Sequence, residues 1–413
     1  MSWTKSRLCF GDWCNTSPGI IIEQFVDTGI EFAVSRPQWG PSGEIIFACD
    51  LSGFYNIYRY DAITKSTRNL FLVDAEFSCP DWVFGMYFIG NLRSSFDVLP
   101  SGLVVAAYSK GGMSFLVTID QDTGIVGKIT DFSAIEQLRV FTKNTIDYAV
   151  FIGKSSLRAP SVYTVNLLTG DVQILWKSSN LEIDPRYISV SKHIEVMGDS
   201  GLVETFGHFY PPKNDDYTIQ KPSDTPLIMF CHGGPTAHSD AGFDLSIQFW
   251  TSRGFAVCDV NYGGSSNYGR AYRERLDGSW GIVDTNDICL MATHLSDSNL
   301  VNKNKMFIRG GSSGGYSALC CLTFRPEVFA AGCSRYGICD LVSLAKLTHK
   351  FEKHYMEKLL GGTYATNPTV YYSRSPINFA DKICAPLLVF QGDLDCVVPP
   401  NQSQMIVDSI KIM

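Results

Sequence analysis

The chain contains 413 residues, of which 45% are hydrophobic and 18% are charged, and its formal net charge is −7 at pH 7. This composition is typical of a folded globular protein and excludes wholesale disorder. The acidic balance and the absence of any Lys- or Arg-rich run argue against nucleic acid as a partner. The length favours two domains.

The N-terminal residues include Lys5 and Arg7 but no apolar segment, so no signal peptide is predicted. No stretch reaches the roughly 18 apolar residues that a membrane-spanning helix needs, and we expect no membrane partner. The 13 cysteines have no regular spacing and are predicted to be reduced core thiols, with Cys231, Cys258 and Cys384 in or beside strand-like apolar runs. We therefore expect a cytoplasmic protein without a metal ion or cofactor.

From residue 1 to about residue 185, short strand-like runs alternate with turn signals. Three copies of this pattern, each ending in a strand, an Asp/Thr/Gly turn and another strand, begin near residues 44, 103 and 148. A period of about 40 to 50 residues is typical of four-stranded propeller blades, and a closed propeller has about 4–8 of them. The pattern predicts a partial β-propeller of about three to four blades over residues 1–185, with a β-sandwich as the alternative.

After about residue 185, short apolar runs alternate with helical segments. Near-continuous apolar strands separated by helices predict a mostly parallel, doubly wound sheet that is covered on both faces. We expect helices at 284–295 and 315–323, and a second domain over residues 186–413. The apolar runs begin at Leu227, Ala256, Met306, Ala330 and Leu387.

The motif G-x-S-x-G occupies residues 310–314, directly after the apolar run at 306–308. In this context it predicts the nucleophile elbow of an α/β-hydrolase domain, a tight strand-to-helix turn that exposes the serine hydroxyl. Ser312 is the candidate nucleophile, and the N–H of Ser313 is placed to donate to an oxyanion near a helix expected from Gly315. The motif alone is weak in a chain with 36 glycines, so the assignment depends on this context.

A second glycine-rich loop, His232-Gly233-Gly234-Pro235, follows the apolar run at 227–230. Loops of this type supply backbone N–H groups to the oxyanion hole of esterases and lipases, and a simple Gly-Pro turn is the alternative. Gly233 and Gly234 are therefore candidate oxyanion residues. We expect His232 to shape the loop rather than act as a general base.

Two acidic residues, Asp393 and Asp395, follow the apolar run at 387–390. An acid just past a strand end, downstream of the serine, is where an α/β-hydrolase holds the acid of its catalytic triad. Either aspartate could instead be a turn residue, so the position alone leaves the choice open.

Together these motifs resemble the prolyl oligopeptidase family of serine peptidases, especially its acylaminoacyl-peptidase and dipeptidyl-aminopeptidase-like branch. The resemblance extends over nearly the whole chain and rests on segments 232–235, 259–274, 280–281, 310–316 and 392–399. It implies a β-propeller that restricts entry to peptides, followed by a hydrolase domain that cleaves through an acyl-enzyme on Ser312. The family pattern G-x-x-D-x-x-V-P assigns the triad acid to Asp395.

The resemblance also adds Tyr316 and Arg335 to the candidate substrate-binding residues. Arg335 stands where this branch would have an aromatic or small residue, and it could bind a substrate carboxylate or pair with an acid. The family's catalytic histidine follows the acid by a few tens of residues, whereas all seven histidines of this chain precede Asp395. His349 and His354, on an expected helix, are poor substitutes. These departures suggest a chain truncated at both ends, without the last strand and helix of the domain, which would leave the run at 387–390 as a sheet edge.

The main hypothesis is thus a serine peptidase that cleaves near the N-terminus of short peptides, releasing acyl-amino acids or dipeptides. The chain alone is expected to be nearly inert, because a serine hydroxyl without a base is a weak nucleophile. Two alternatives are an esterase on the same scaffold and a catalytically dead, propeller-bearing binding protein. Short peptides are the expected partners, and homo-oligomer formation stays open.

Overall fold

The computed structural model describes residues 5–14, 19–26, 32–80, 95–198, 201–347 and 354–411. The chain divides into two compact units. The first consists of Met1–Asn180 with Asn267–Arg270, and the second of Leu181–Ser266 with Ala271–Met413. In the part of the chain that is described, every helix is too short or too polar to cross a membrane.

The first unit is built from antiparallel sheets. A two-stranded hairpin precedes three four-stranded sheets, and each sheet pairs its strands in the order of the chain. The strands are β1 (Leu8–Cys14), β2 (Gly19–Val26), β3 (Val34–Trp39), β4 (Ile45–Cys49), β5 (Asn56–Asp61), β6 (Ser66–Asn69), β7 (Phe96–Val98), β8 (Val104–Lys110), β9 (Met113–Ile119), β10 (Val126–Phe132), β11 (Ala134–Lys143), β12 (Ile146–Lys154), β13 (Ser161–Asn166) and β14 (Val172–Lys177).

Apolar side chains fill the space between successive sheets of this unit. On β8, Ala106 belongs to the core cluster shared with Ile46 of the preceding sheet, whereas its neighbour Val105 belongs to the cluster shared with Phe151 of the following sheet. Adjacent strand residues point to opposite faces, so the middle sheet is covered on both sides. Consecutive four-stranded sheets stacked in this way are propeller blades. The predicted partial β-propeller is confirmed, and the β-sandwich alternative does not fit.

The second unit contains one seven-stranded sheet in the order β15-β16-β18-β17-β19-β20-β21. Strand β16 pairs antiparallel with both of its neighbours, β15 and β18. All the other neighbouring strands of this sheet pair parallel. The strands are β15 (Lys192–Met197), β16 (Val203–Tyr210), β17 (Leu227–Cys231), β18 (Ala256–Asn261), β19 (Met306–Gly311), β20 (Ala331–Arg335) and β21 (Leu387–Phe390). The helices are α1 (Leu245–Thr251), α2 (Arg270–Glu274), α3 (Val283–Asp297), α4 (Ser313–Phe324), α5 (Leu341–Leu347), α6 (Tyr355–Leu360), α7 (Pro368–Ser373) and α8 (Asn401–Lys411).

Helices cover the two faces of this sheet unequally. On one face, α3 and α4 contribute Ile288 and Leu322 to the main core cluster. On the other face, α1 packs with Ile247 and Trp250 against Phe230 of β17 and Val257 of β18. This two-sided, mostly parallel sheet confirms the predicted α/β-hydrolase fold, and all five apolar runs form strands.

Two sequence-based expectations need correction. The helix expected from Gly315 begins at Ser313, because Ser312 takes the N-cap position. Cys231 and Cys258 are buried as expected, but Cys384 is exposed because it precedes β21 instead of lying within a strand. Among the described strands, β21 lies at one end of this sheet.

Candidate active site

Ser312 lies at the turn between β19 and α4. Its backbone has φ 56° and ψ −124°, and a positive φ is uncommon for a residue with a side chain and recurs at functional sites. The Ser312 N–H donates to the Arg335 carbonyl on β20, and its carbonyl accepts from the Tyr316 N–H, both at 3.0 Å. This is the geometry predicted for a nucleophile elbow at the carboxyl ends of the parallel strands.

The glycines on either side of Ser312 allow backbone segments to touch. A Cβ atom on Gly310 would lie 2.1 Å from the Gly314 carbonyl oxygen, and one on Gly314 would lie 2.1 Å from the Cys231 carbonyl oxygen. Real Cβ atoms do not approach oxygen so closely, so any side chain at these positions would push α4 away from β17 and β19. The elbow therefore depends on glycine at both positions.

The His232–Pro235 loop lies directly against the elbow. A Cβ built on Gly233 would be 3.6 Å from the Ser312 Cβ and 3.2 Å from the Gly311 carbonyl oxygen. Gly234 has φ 122°, which favours glycine. On the other side of Ser312, the Ser313 N–H belongs to the first turn of α4, where amide groups have no acceptor within the helix. The backbone at Gly233 and Ser313 therefore borders the nucleophile.

His232 is held as a neutral side chain. Its Nδ1 lies 2.8 Å from the Gly233 carbonyl oxygen, which can only accept, so Nδ1 carries the proton. Nε2 then accepts from the Ser265 hydroxyl at 2.7 Å, and the ring stacks on Tyr262. Burial lowers the pKa of His232 to about 4. With both ring nitrogens engaged, His232 shapes the loop and cannot act as a base toward Ser312.

The buried side chain of Asp284, at the start of α3, is hydrogen-bonded to the first turns of α4. Asp284 accepts the Gly281 N–H at 2.6 Å and the Ser317 hydroxyl at 2.5 Å, and the same hydroxyl lies 3.2 Å from the Ser313 carbonyl oxygen. Burial raises the pKa of Asp284, while its hydrogen bond to Ser317 acts in the opposite direction. The start of α4 is thus tied to the start of α3.

Tyr316 is not placed as expected for a substrate-binding residue, and Arg335 does not pair with a described acid. The Tyr316 side chain is fully buried, its ring packs on Trp280 and its hydroxyl donates to the Arg374 carbonyl, so it supports the elbow and is not available to bind substrate. Arg335 forms no ion pair with a described carboxylate, and its buried Nε has no hydrogen-bond partner. Its neighbour Tyr336, with φ 39°, reaches toward Gly311 beside the nucleophile.

Asp395 and Asp393 differ in how they are held. Asp395 Oδ1 accepts the N–H groups of Val397 and Val398 at 2.9 and 3.0 Å, whereas Asp393 is exposed. The loop follows β21, whose carboxyl end lies beside those of β20 and β19. Of the two aspartates, Asp395 is therefore the one fixed at the same edge of the sheet as Ser312.

No imidazole in the described part of the chain forms a hydrogen bond with Ser312 or Asp395. His208 is buried in β16, where burial lowers its pKa to about 4. His354 is exposed and lies 3.2 Å from Glu357, and His349 lies outside the described residues. Within the same described ranges, no group of three or more His, Cys, Asp or Glu side chains is placed to hold a metal ion.

Sequence reasoning missed three residues of this site. Ser265 fixes His232, Asp284 fixes the start of α4, and Tyr336 borders the nucleophile. Ser265 lies in the segment 259–274 that carries the family resemblance, but its role depends on a contact across 33 residues. Tyr336 had no sequence signal beyond following Arg335.

Comparison with known proteins supports this description. The sequence profile of the Prolyl oligopeptidase family matches residues 241–411. Dipeptidyl aminopeptidase BIII of Pseudoxanthomonas mexicana is 31% identical over 202 residues, which are 48% of this chain and 29% of that protein. Dipeptidyl peptidase family member 6 of Caenorhabditis elegans is 30% identical over 190 residues, 45% of this chain and 26% of that protein.

Among solved structures, a puromycin hydrolase superimposes with a TM-score of 0.88 at 30% identity, covering 99% of this chain and 60% of that chain. A mutant of a puromycin hydrolase has also been solved in complex with PGG, with the same TM-score, identity and coverage. The chain matches less than a third of the length of the two curated relatives.

Proposed function

Because the chain belongs to the prolyl oligopeptidase family of serine peptidases, we propose that its second unit is built to cleave short peptides near their N-terminus through an acyl-enzyme on Ser312. The observation that carries this proposal is the strained Ser312 turn with the Gly233 backbone packed beside it. A serine at such a turn, next to backbone N–H groups, is arranged for acyl transfer.

The substrate class rests on similarity. The relatives include a dipeptidyl aminopeptidase and a dipeptidyl peptidase family member, and a puromycin hydrolase mutant has been solved with PGG. We infer short peptides as substrates, with Ser313 and Gly233 providing the oxyanion donors and Asp395 the triad acid. The cytoplasmic location expected from the sequence stays a prediction.

We further propose that the 413-residue chain has little hydrolytic activity by itself. A serine hydroxyl is activated by a neighbouring base, and no described histidine contacts Ser312. Loss of the triad histidine lowers turnover by about a millionfold in the subtilisin example.

Labelling with a fluorophosphonate probe tests the proposal directly. We expect the folded chain to label very slowly, with Ser312→Ala and a heat-denatured sample as controls. Free imidazole should accelerate labelling of the wild-type chain but not of Ser312→Ala, because the added imidazole supplies the missing base.

Each outcome decides one part of the proposal. Rapid labelling without imidazole that disappears in Ser312→Ala would disprove the inert chain and require a substitute base. A folded sample that neither labels nor responds to imidazole would contradict the assignment of Ser312. Panels of short peptides and of esters, both assayed with imidazole, then separate a peptidase from an esterase.

A further inference from the structure

Tyr262 is the first residue after β18 and packs against the His232–Pro235 loop. Its side chain is fully buried, and its ring stacks on that of His232 with 4.4 Å between the ring centres and 16° between the planes. It belongs to the segment 259–274 that carries the family resemblance. The loop that borders Ser312 therefore lies directly on this tyrosine.

The Tyr262 hydroxyl joins the two ends of the loop. It donates to the His232 carbonyl oxygen at 3.1 Å and to the Pro235 carbonyl oxygen at 3.0 Å. A phenol carries one proton, so the two carbonyl groups share it in a three-centre hydrogen bond. The two acceptors lie on either side of Gly233 and Gly234 in the sequence. One buried hydroxyl thus holds the loop across its glycine pair.

The bond to the His232 carbonyl also sets the direction of the Gly233 N–H. Both groups belong to the same peptide unit, which is planar and trans, so the N–H points away from the carbonyl oxygen. Glycine at position 233 has no Cβ to restrict rotation of this unit. A hydrogen bond to the carbonyl is therefore an effective way to keep the N–H on the side of Ser312.

Other bonds hold the neighbouring peptide units of the loop. The His232 ring donates to the Gly233 carbonyl at 2.8 Å, and the Ser266 hydroxyl donates to the Thr236 carbonyl. The Tyr262 bond differs from these two, because its acceptor lies in the peptide unit that contains the Gly233 N–H.

Tyr262 also lies near Ser313, the second residue that borders the nucleophile. Burial raises the pKa of Tyr262 well above its ordinary value, and the Ser313 hydroxyl is close enough to oppose this shift. In the described part of the chain, Ser313 Oγ is buried and has no regular hydrogen-bond partner. Because its pKa is raised, Tyr262 stays a neutral phenol and keeps its proton to donate.

We propose that Tyr262 is a positioning residue, which holds the His232–Gly233 peptide with its N–H directed at the oxyanion formed during acyl transfer. This inference rests on the proposed function, because an oxyanion forms only if Ser312 attacks a carbonyl group. Tyr262 touches no reacting atom, and its effect passes through the Gly233 N–H.

Hydrogen exchange tests the positioning without any chemistry of Ser312. Tyr262→Phe keeps the stacked ring and removes only the shared proton. In mass spectrometry of the full 413-residue chain, we expect backbone amides of residues 232–237 to exchange about tenfold faster in this variant, because one hydrogen bond no longer opposes local opening.

Tyr371→Phe is the matched control. Tyr371 is also fully buried, and its hydroxyl donates to a backbone carbonyl, that of Gly362, at 3.1 Å. Each variant removes one buried hydroxyl from a carbonyl acceptor, so both should lower the melting temperature to a similar extent. Only Tyr262→Phe should change exchange at residues 232–237.

A second measurement reports the direction of the Gly233 N–H. With free imidazole present, labelling of Ser312 by a fluorophosphonate is compared with labelling by an analogue that carries sulfur in place of the phosphoryl oxygen. Sulfur is a weak hydrogen-bond acceptor, so oxyanion donors favour the oxygen probe. We expect Tyr262→Phe to reduce the ratio of oxygen-probe to sulfur-probe rates by about tenfold, and Tyr371→Phe to leave it unchanged.

The outcomes separate this inference from the proposed function. Unchanged exchange at residues 232–237 in Tyr262→Phe would overturn the positioning role, whatever the labelling rates are. Faster exchange with an unchanged ratio of probe rates would also overturn it, since Tyr262 would then only stabilise the loop. A wild-type chain that imidazole does not activate would contradict the proposed function instead, and exchange alone would then decide whether Tyr262 holds the loop.

Discussion

The strand ends around Ser312 and those around Asp395 lie on one sheet but differ in packing. Near Ser312, backbone atoms of β17, β19 and α4 are in contact, and a Cβ atom added to Gly310 or Gly314 would overlap a backbone carbonyl oxygen. Near Asp395, Leu394 is 92% exposed and a Cβ on Gly392 would meet nothing within 4 Å. The nucleophile side is thus fixed by the chain's own packing, whereas the acid side has few contacts that fix it.

A matched pair of glycine substitutions tests this difference and should give the largest effect. Gly310→Ala places a methyl group 2.1 Å from the Gly314 carbonyl oxygen, and we expect the free energy of unfolding to fall by about 3 kcal/mol or more. Gly392→Ala should change it by less than about 0.5 kcal/mol. Chemical denaturation of both variants measures the contrast, and equal effects would disprove it.

A partly buried acid on β18, the strand next to β17, provides a second test through pH. Asp259 is partly buried in β18, and this burial raises its pKa to about 7 while its hydrogen bond to Ser239 opposes the shift. The native state then holds the proton to a higher pH than the unfolded chain, whose aspartate has a pKa of about 3.9. Stability conferred by protonated Asp259 is therefore lost as the pH rises from about 4 to about 7.

The variant Asp259→Asn removes this titration. We compare the free energy of unfolding of Asp259→Asn with that of wild type at each pH by urea denaturation. The difference in favour of the variant should be about 2–4 kcal/mol larger at pH 8 than at pH 5. Asp393→Asn, which removes an exposed carboxylate, is the control for the loss of one charge. A constant difference between Asp259→Asn and wild type across this range would show that Asp259 is ionised throughout.

The nucleophile side was also the more predictable from sequence. The motif at 310–314 reflects a local steric requirement, because only glycine permits the backbone contacts around Ser312. The repeat of strands and turns that predicted the propeller blades of the first unit is also a local pattern. Sequence position alone did not distinguish Asp393 from Asp395 as the acid of the triad. The exposure of Cys384 depends on where the strand begins, and the Ser265 contact to His232 joins distant segments, so neither has a local signature.

Thiol reactivity gives the mildest probe of the same contrast, because it leaves the fold intact. Cys396, on the acid side, is exposed, and so is Cys384, which precedes the amino end of β21. Cys231 and Cys320, on the nucleophile side, are buried, and burial raises the pKa of both thiols well above the ordinary value. Only a thiolate that can meet the reagent reacts quickly. In mass-spectrometric mapping after brief alkylation at neutral pH, we expect Cys384 and Cys396 to react at least about tenfold faster than the buried pair.

The buried thiols give the internal reference for this measurement. Cys231 should stay unreactive over the same time course, because it is buried. If Cys396 were as slow as Cys231, the acid side would be covered in solution. The proposed difference in packing between the two sides of the site would then be disproved.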